Sequence, residues 1–221
     1  MADGQPAFPL GRTARLAVFA SGRGSNLAAL MAAFPPEQGP GSSANGAAAA
    51  DASVVLVVSD RRDAGALTLA RDAGVRAVHV PFGRDRVAFE AAAQRELERD
   101  GVDLIALAGF MRVLSPAFVG AWRGRLVNVH PSLLPAFPGL HAARQALAAG
   151  VDRSGCTVHF VDAGVDTGPV IERREVAVLP GDDEATLQAR IQAAEHEAFP
   201  SALRAVLRGD ATPTGQRERP A

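Results

Sequence analysis

Asn128 and His130 stand two positions apart at the end of an apolar run, and Pro131 follows at once. In an extended strand residues i and i+2 project to one face. Pro131 has no N–H to donate, so it stops the strand there. The pair therefore sets a carboxamide beside an imidazole at a strand's carboxyl end. An amide N–H and a protonated ring are donors suited to a developing oxyanion. The plain alternative is a satisfied structural histidine next to a turn-forming asparagine. A second group, Asp162-Ala163-Gly164-Val165-Asp166-Thr167-Gly168-Pro169, has the composition of a turn. If Asp166 reaches His130, its carboxylate favours the charged ring. Spacing alone does not show that contact.

A third candidate is Ser21-Gly22-Arg23-Gly24-Ser25-Asn26, which follows a strand-like run and opens a helical one. Glycines permit close backbone approach, and the free N–H groups of a helix start favour an anion. The loop lacks the Gly-Lys-Ser/Thr of a P-loop and the third glycine of the dinucleotide fingerprint. A monophosphate fits it better than a nucleotide. The alternative is an ordinary helix start with Ser25 as its cap. Prolines Pro131, Pro135 and Pro138 stiffen the loop after His130.

The other chemistry-bearing residues weigh less. Cys156 is the single cysteine, so neither an internal disulfide nor a cysteine zinc cluster is possible. No serine sits in a nucleophile elbow. There is no His-x-x-x-His pair, and no metal is expected. His79 and His159 read as structural strand residues, His141 as the start of a helix, and His196 as a residue of the C-terminal helix.

The net charge is -1, and all 23 basic residues are arginine. No global field would draw such a chain to nucleic acid or a membrane. Residues 1–12 lack the pattern of a signal peptide, and a cytoplasmic setting is expected.

The elements that must position these residues follow from apolar patterning. Runs at 15–20, 53–59 and 103–108 are short, rich in Val, Leu and Ile, and barely alternate, as buried parallel strands do. Helical patterns lie between them at 26–34, 64–73 and 86–99, with a further strand at 75–80. Strand–helix alternation implies a doubly wound, mostly parallel α/β sheet. In such sheets ligands sit beyond the strands' carboxyl ends. Later runs at 126–129, 156–161 and 172–178 suggest antiparallel strands toward the C-terminal half. Residues 183–207 read as one long helix, with a bend expected at Pro200. One domain over 13–208 is expected. Residues 35–51 are a low-complexity loop by composition, and 209–221 a loose tail.

Four segments in order carry a resemblance: Ser21-Gly22-Arg23-Gly24-Ser25-Asn26-Leu27, Ala108-Gly109-Phe110-Met111-Arg112-Val113-Leu114-Ser115, Asn128-Val129-His130-Pro131-Ser132-Leu133-Leu134-Pro135 and Asp166-Thr167-Gly168-Pro169. Together they closely resemble the phosphoribosylglycinamide formyltransferases, a folate-dependent family of the formyltransferase superfamily. The match spans about residues 15–208. The resemblance implies the formyltransferase fold and transfer of formyl from 10-formyltetrahydrofolate to the amine of 5-phosphoribosylglycinamide in purine biosynthesis. It implies Asn128, His130 and Asp166 as the catalytic trio. Gly24, Ser25 and Asn26 would hold the ribotide phosphate, with Gln192 and Glu195 at its ribose and amine. Arg86, Met111, Arg112, Val113, Leu114 and Asn128, with Asp162, Ala163, Gly164, Val165 and Asp166, would form the folate side.

Partners would be small molecules alone, in a monomer or homodimer. Methionyl-tRNA formyltransferases and formyltetrahydrofolate hydrolases are related but carry an added domain, for which this length leaves no room. A non-catalytic ligand-binding module on the same scaffold is the rival from another class.

Overall fold

Apolar runs and helical segments alternate through the first 130 residues, and the computed structural model, which describes residues 8–36, 51–213 and 215–216, arranges them as strands and covering helices. In chain order come β1 (Ala14–Phe19), α1 (Ser25–Ala33), β2 (Ala52–Ser59), α2 (Gly65–Asp72), β3 (Arg76–His79) and α3 (Arg86–Arg99). Next are β4 (Leu104–Leu107), α4 (Pro116–Ala121), β5 (Leu126–His130), α5 (Ala142–Ala148), β6 (Arg153–Phe160) and β7 (Val170–Ala177). The long helix α6 (Glu184–Leu207) precedes a two-residue pair, β8 (Ala211–Thr212) and β9 (Gly215–Gln216).

The main sheet has the order β3-β2-β1-β4-β5-β6-β7. It is parallel from β3 to β5, and β6 and β7 are antiparallel. The expected mixed, doubly wound α/β sheet is what forms. Chain order reverses between β1 and β4, which makes a crevice at their carboxyl ends, the usual ligand position in such sheets.

Both faces of the sheet are covered, which is why its central strands are apolar on both sides. Leu16, Val18, Val127 and Val158 pack with Leu27 and Leu30 of α1 and with Ile191, Phe199 and Leu203 of α6. Ala17, Phe19, Leu56 and Ile105 pack on the other face with Phe89, Ala93 and Leu97 of α3. Each fully buried leucine or phenylalanine contributes about 1.5–3 kcal/mol relative to exposure.

Local chemistry explains most boundaries. Asp85 caps α3 by accepting the Ala88 N–H, and Ser115 caps α4 ahead of Pro116. Asp183 and Thr186 form a reciprocal capping box on α6. That helix runs on through Pro200 to Leu207.

Several expectations are corrected. Strand β6 begins at Arg153 rather than 156, because residues 153–155 pair with Glu175–Ala177 of β7, a pairing no hydrophobic pattern announces. Strand β5 extends to His130 itself. His141 is the cap of α5, which starts at Ala142. The expected loose tail is ordered in part. Residues 211–212 pair with 215–216, and Ala211 is buried against the core. The low-complexity stretch 37–50 and residues 217–221 lie outside the described residues.

Candidate active site

The antiparallel pairing of β5 with β6 sets Asn128 opposite His159 and His130 opposite Thr157. Four polar side chains therefore share one face at the end of β5. His159 Nδ1 faces the Phe160 carbonyl at 2.9 Å, and a carbonyl only accepts, so this nitrogen carries the hydrogen. Burial lowers the pKa of His159, which favours the neutral ring. Its Nε2 is then bare and accepts from the Asn128 amide at 3.1 Å. One amide hydrogen of Asn128 is used in this way, and the second stays available.

His130 is buried, and both of its ring nitrogens meet acceptors. Nε2 donates to the Phe137 carbonyl at 2.9 Å. Nδ1 lies 3.3 Å from Asp166 Oδ2. The expected contact between residues 130 and 166 is present. The carboxyl of Asp166 also accepts the Gly139 N–H at 2.9 Å and lies 3.7 Å from His159 Nε2. Asp166 itself adopts a left-handed backbone with φ 56°, and Phe137 does so with φ 54°. Non-glycine residues held there cost energy and cluster at functional sites. Thr157 ties the loop after His130 to β6: its hydroxyl donates to Ser132 O at 2.7 Å and accepts the Leu134 N–H at 3.0 Å.

The glycine loop lies at the end of β1. Gly24, not Ser25, is the N-cap of α1, and its φ is 93°. A Cβ there would stand 2.9 Å from the Ala66 Cα, so both backbone twist and space demand glycine. With no side-chain cap, the first-turn N–H groups of Ser25, Asn26 and Leu27 lack helical partners and face an anion-favouring dipole. Helix α6 closes this loop from the other side. Gln192 donates to Ser25 Oγ at 2.8 Å, and Asn26 donates to Glu195 Oε2 at 2.8 Å. Asn26 and Glu195 are both buried, and Asn26 Oδ1 has no hydrogen-bond partner. An orphaned buried acceptor is costly and suits a donor brought by a ligand. Burial pushes the Glu195 carboxyl up to about 7, against the lowering effect of the Asn26 hydrogen bond.

A match to the formyl transferase family model covers residues 14–203. The chain belongs to the formyl transferase family. It is 50% identical over 203 residues to the trifunctional purine biosynthetic protein adenosine-3 of Drosophila melanogaster, a stretch that is 90% of this chain and 14% of that protein. The chain thus spans a small part of the length of its trifunctional relatives. It is also 38% identical over 200 residues to phosphoribosylglycinamide formyltransferase of Bacillus subtilis, covering 87% of this chain and 94% of that one. Among solved structures, glycinamide ribonucleotide transformylase 1 from Symbiobacterium toebii superposes with a TM-score of 0.81 at 43% identity, covering 90% of each chain.

The other expected positions divide. Met111 and Val113 are exposed apolar residues in the segment after β4. Leu114 is buried in the core, so only its main chain can face a ligand. The Arg112 side chain does not project freely: its Nε donates to Asp60 Oδ2 at 2.7 Å and its guanidinium lies 5.1 Å from the Phe82 ring centre. Arg86 is exposed in the first turn of α3, where the helix dipole disfavours a cation. Asp162 turns inward on its own loop, accepting from Gly164 N at 3.0 Å and Thr167 Oγ1 at 2.7 Å. Ala163, Gly164 and Val165 are exposed at its tip. Sequence reasoning missed His159 as a partner of Asn128. The alternation of Thr157 and His159 was visible, but the register that sets them opposite His130 and Asn128 was not.

Cys156 lies in the core, and burial pushes its thiol up to about 12, so it is no nucleophile at neutral pH. Among the described residues no three His, Cys, Asp or Glu side chains cluster as a metal site, and no helix is long and apolar enough to cross a membrane.

Proposed function

We propose that this chain transfers the formyl group of 10-formyltetrahydrofolate to the amine of 5-phosphoribosylglycinamide. One observation carries the reading: His130, which faces Asp166, shares one side of β5 with Asn128, in a sheet where the end of β4 carries an exposed apolar segment and the end of β1 beyond it an anion-ready helix start. The family and its relatives support the reaction class.

The substrate amine is the nucleophile, so the protein need supply none. It attacks the formyl carbon, and a C–N bond forms as the carbonyl oxygen takes up negative charge. The second amide hydrogen of Asn128 and an N–H of His130 stabilise that oxygen. The Phe137 carbonyl now holds His130 Nε2, so that hydrogen bond opens or is shared when the oxyanion forms. Asp166 orients the ring and balances its charge through Nδ1. As the intermediate collapses, the bond to the folate nitrogen breaks, that nitrogen takes a proton, and the attacking nitrogen loses one. His130 is the group placed to relay it. The first turn of α1, with Gln192 and Glu195, binds the phosphorylated amine. Arg86, Met111 and Val113, with the main chain of 112–114 and the tip at 163–165, bind the folate. Holding the two substrates together supplies much of the rate gain. The reading carries a cytoplasmic setting and small-molecule partners.

An absorbance assay of folate deformylation, with and without the glycinamide ribotide, tests this. Formyl loss that needs the ribotide is expected. Loss without it would indicate a hydrolase, and no loss at all a binding module.

A further inference from the structure

We propose that Asp60 is a positioning residue for the folate side of the site, acting through Arg112 on the segment after β4; this rests on the formyl-folate reading above. That segment is held at three points by side chains outside it. Ser21 Oγ accepts the Met111 N–H at 2.9 Å, while the Ser21 N–H donates to the Gly109 carbonyl at 3.1 Å. Glu90 accepts the N–H and hydroxyl of Ser115 at 2.6 and 2.5 Å. Between these anchors Asp60 Oδ2 accepts from Arg112 Nε at 2.7 Å.

The Asp60 side chain is 1% exposed and that of Arg112 is 45% exposed. A buried carboxylate is costly unless a cation opposes it, whereas a half-exposed guanidinium can return to water. Asp60 is therefore the fixed partner, and Arg112 is drawn to it. The other carboxylate oxygen, Oδ1, is buried with no hydrogen-bond partner, so the Arg112 bond is its side chain's one polar contact among the described residues. Drawing the side chain inward settles the backbone around it. No backbone hydrogen bond engages Arg112, Val113 or Leu114 among the described residues. Their N–H and C=O groups are free to read the edge of a planar heterocycle, but only if the segment keeps one shape. Asp60, at the end of β2, supplies that constraint without touching substrate.

The test compares Asp60→Ala, Asp60→Asn and Asp60→Ala/Arg112→Ala with the wild type by steady-state kinetics and by titration with folic acid. Asp60→Ala should raise the KM for the formyl folate about tenfold, with kcat and the amine's KM changed less than about twofold, the mark of lost binding on one side only. Asp60→Asn keeps an acceptor for Arg112 Nε and should recover to within about threefold of wild type. The double variant should bind folic acid no worse than Asp60→Ala, because the two residues act as one unit. Equal rises in both KM values, additive losses in the double variant, or unchanged folic acid binding by Asp60→Ala would each overturn the role. A wild type that turns over while Asp60→Ala matches it refutes the positioning alone. A wild type that neither deformylates the folate nor binds folic acid refutes the underlying reading and the positioning with it.

Discussion

Asn26 and Glu195 stand 169 positions apart in the chain, yet the Asn26 amide donates to Glu195 Oε2 at 2.8 Å where both side chains are buried. This bond, with that of Gln192 to Ser25, joins the C-terminal helix α6 to the first turn of α1. The half-site proposed for the phosphorylated amine is thus assembled from the two ends of the fold.

The pairing has a consequence for stability. Burial pushes the Glu195 carboxyl up to about 7 in the folded chain, from the ordinary value of 4.5 that it regains on unfolding. Between those values the unfolded chain releases a proton that the folded chain keeps. Glu195 therefore makes its full contribution below pH 4.5, and this is lost as pH rises through about 7. The span corresponds to a few kcal/mol, of order 3. Glu195→Gln has no such proton to lose. Urea unfolding at pH 4.5 and 8 should show the wild type losing stability relative to that variant. Parallel stability curves would show that Glu195 does not carry the pH dependence.

His130→Ala and Asp166→Asn test the catalytic assignment. Loss of one preorganised oxyanion donor, or of the group that orients it, commonly costs about 10²–10³ in turnover. Both variants should fall by that order in kcat while calorimetry still detects binding of each substrate. Near-wild-type turnover in either would remove these residues from the mechanism.

Gly24→Val tests the glycine loop. The left-handed φ of 93° and the 2.9 Å approach to Ala66 leave no room for a side chain. The strain is worth about 1–3 kcal/mol. The first turn of α1 should shift, and the KM for the phosphorylated amine should rise about tenfold with that for folate nearly unchanged. Equal effects on both would argue against a phosphate cradle.

Cys156 should be silent in chemistry. Its buried thiol, pushed up to about 12, should resist iodoacetamide in the native protein and react only after urea unfolding. Cys156→Ala should keep turnover while losing about 1–2 kcal/mol of stability to the cavity. Native-state alkylation that abolishes activity would contradict both points.

Much of the fold was legible because it is local. The helix α3 at 86–99 follows from its helical patterning, and the strands β1, β2 and β4 from short Val-, Leu- and Ile-rich runs. The start of β6 was not legible. Its first three residues are held by an edge strand, and pairing partners leave no mark in a single segment's pattern. In the site, Asn128 and His130 could be paired from strand alternation alone. The direction of the Arg112 side chain could not be read, since an arginine in a loop reveals nothing of the buried Asp60 it answers.

The sequence by itself determined the alternation of buried strands and helices, the glycine that permits the left-handed turn at 24, and the face shared by Asn128 and His130. Those features depend on backbone sterics and on the period of neighbouring residues. Tertiary structure alone decided that Asp166 and Phe137 take the two nitrogens of His130, that His159 orients Asn128, and that Glu195 meets Asn26. Such contacts depend on strand register and helix docking, and hydrogen bonds a few ångströms long between distant residues are set only once the whole core has packed.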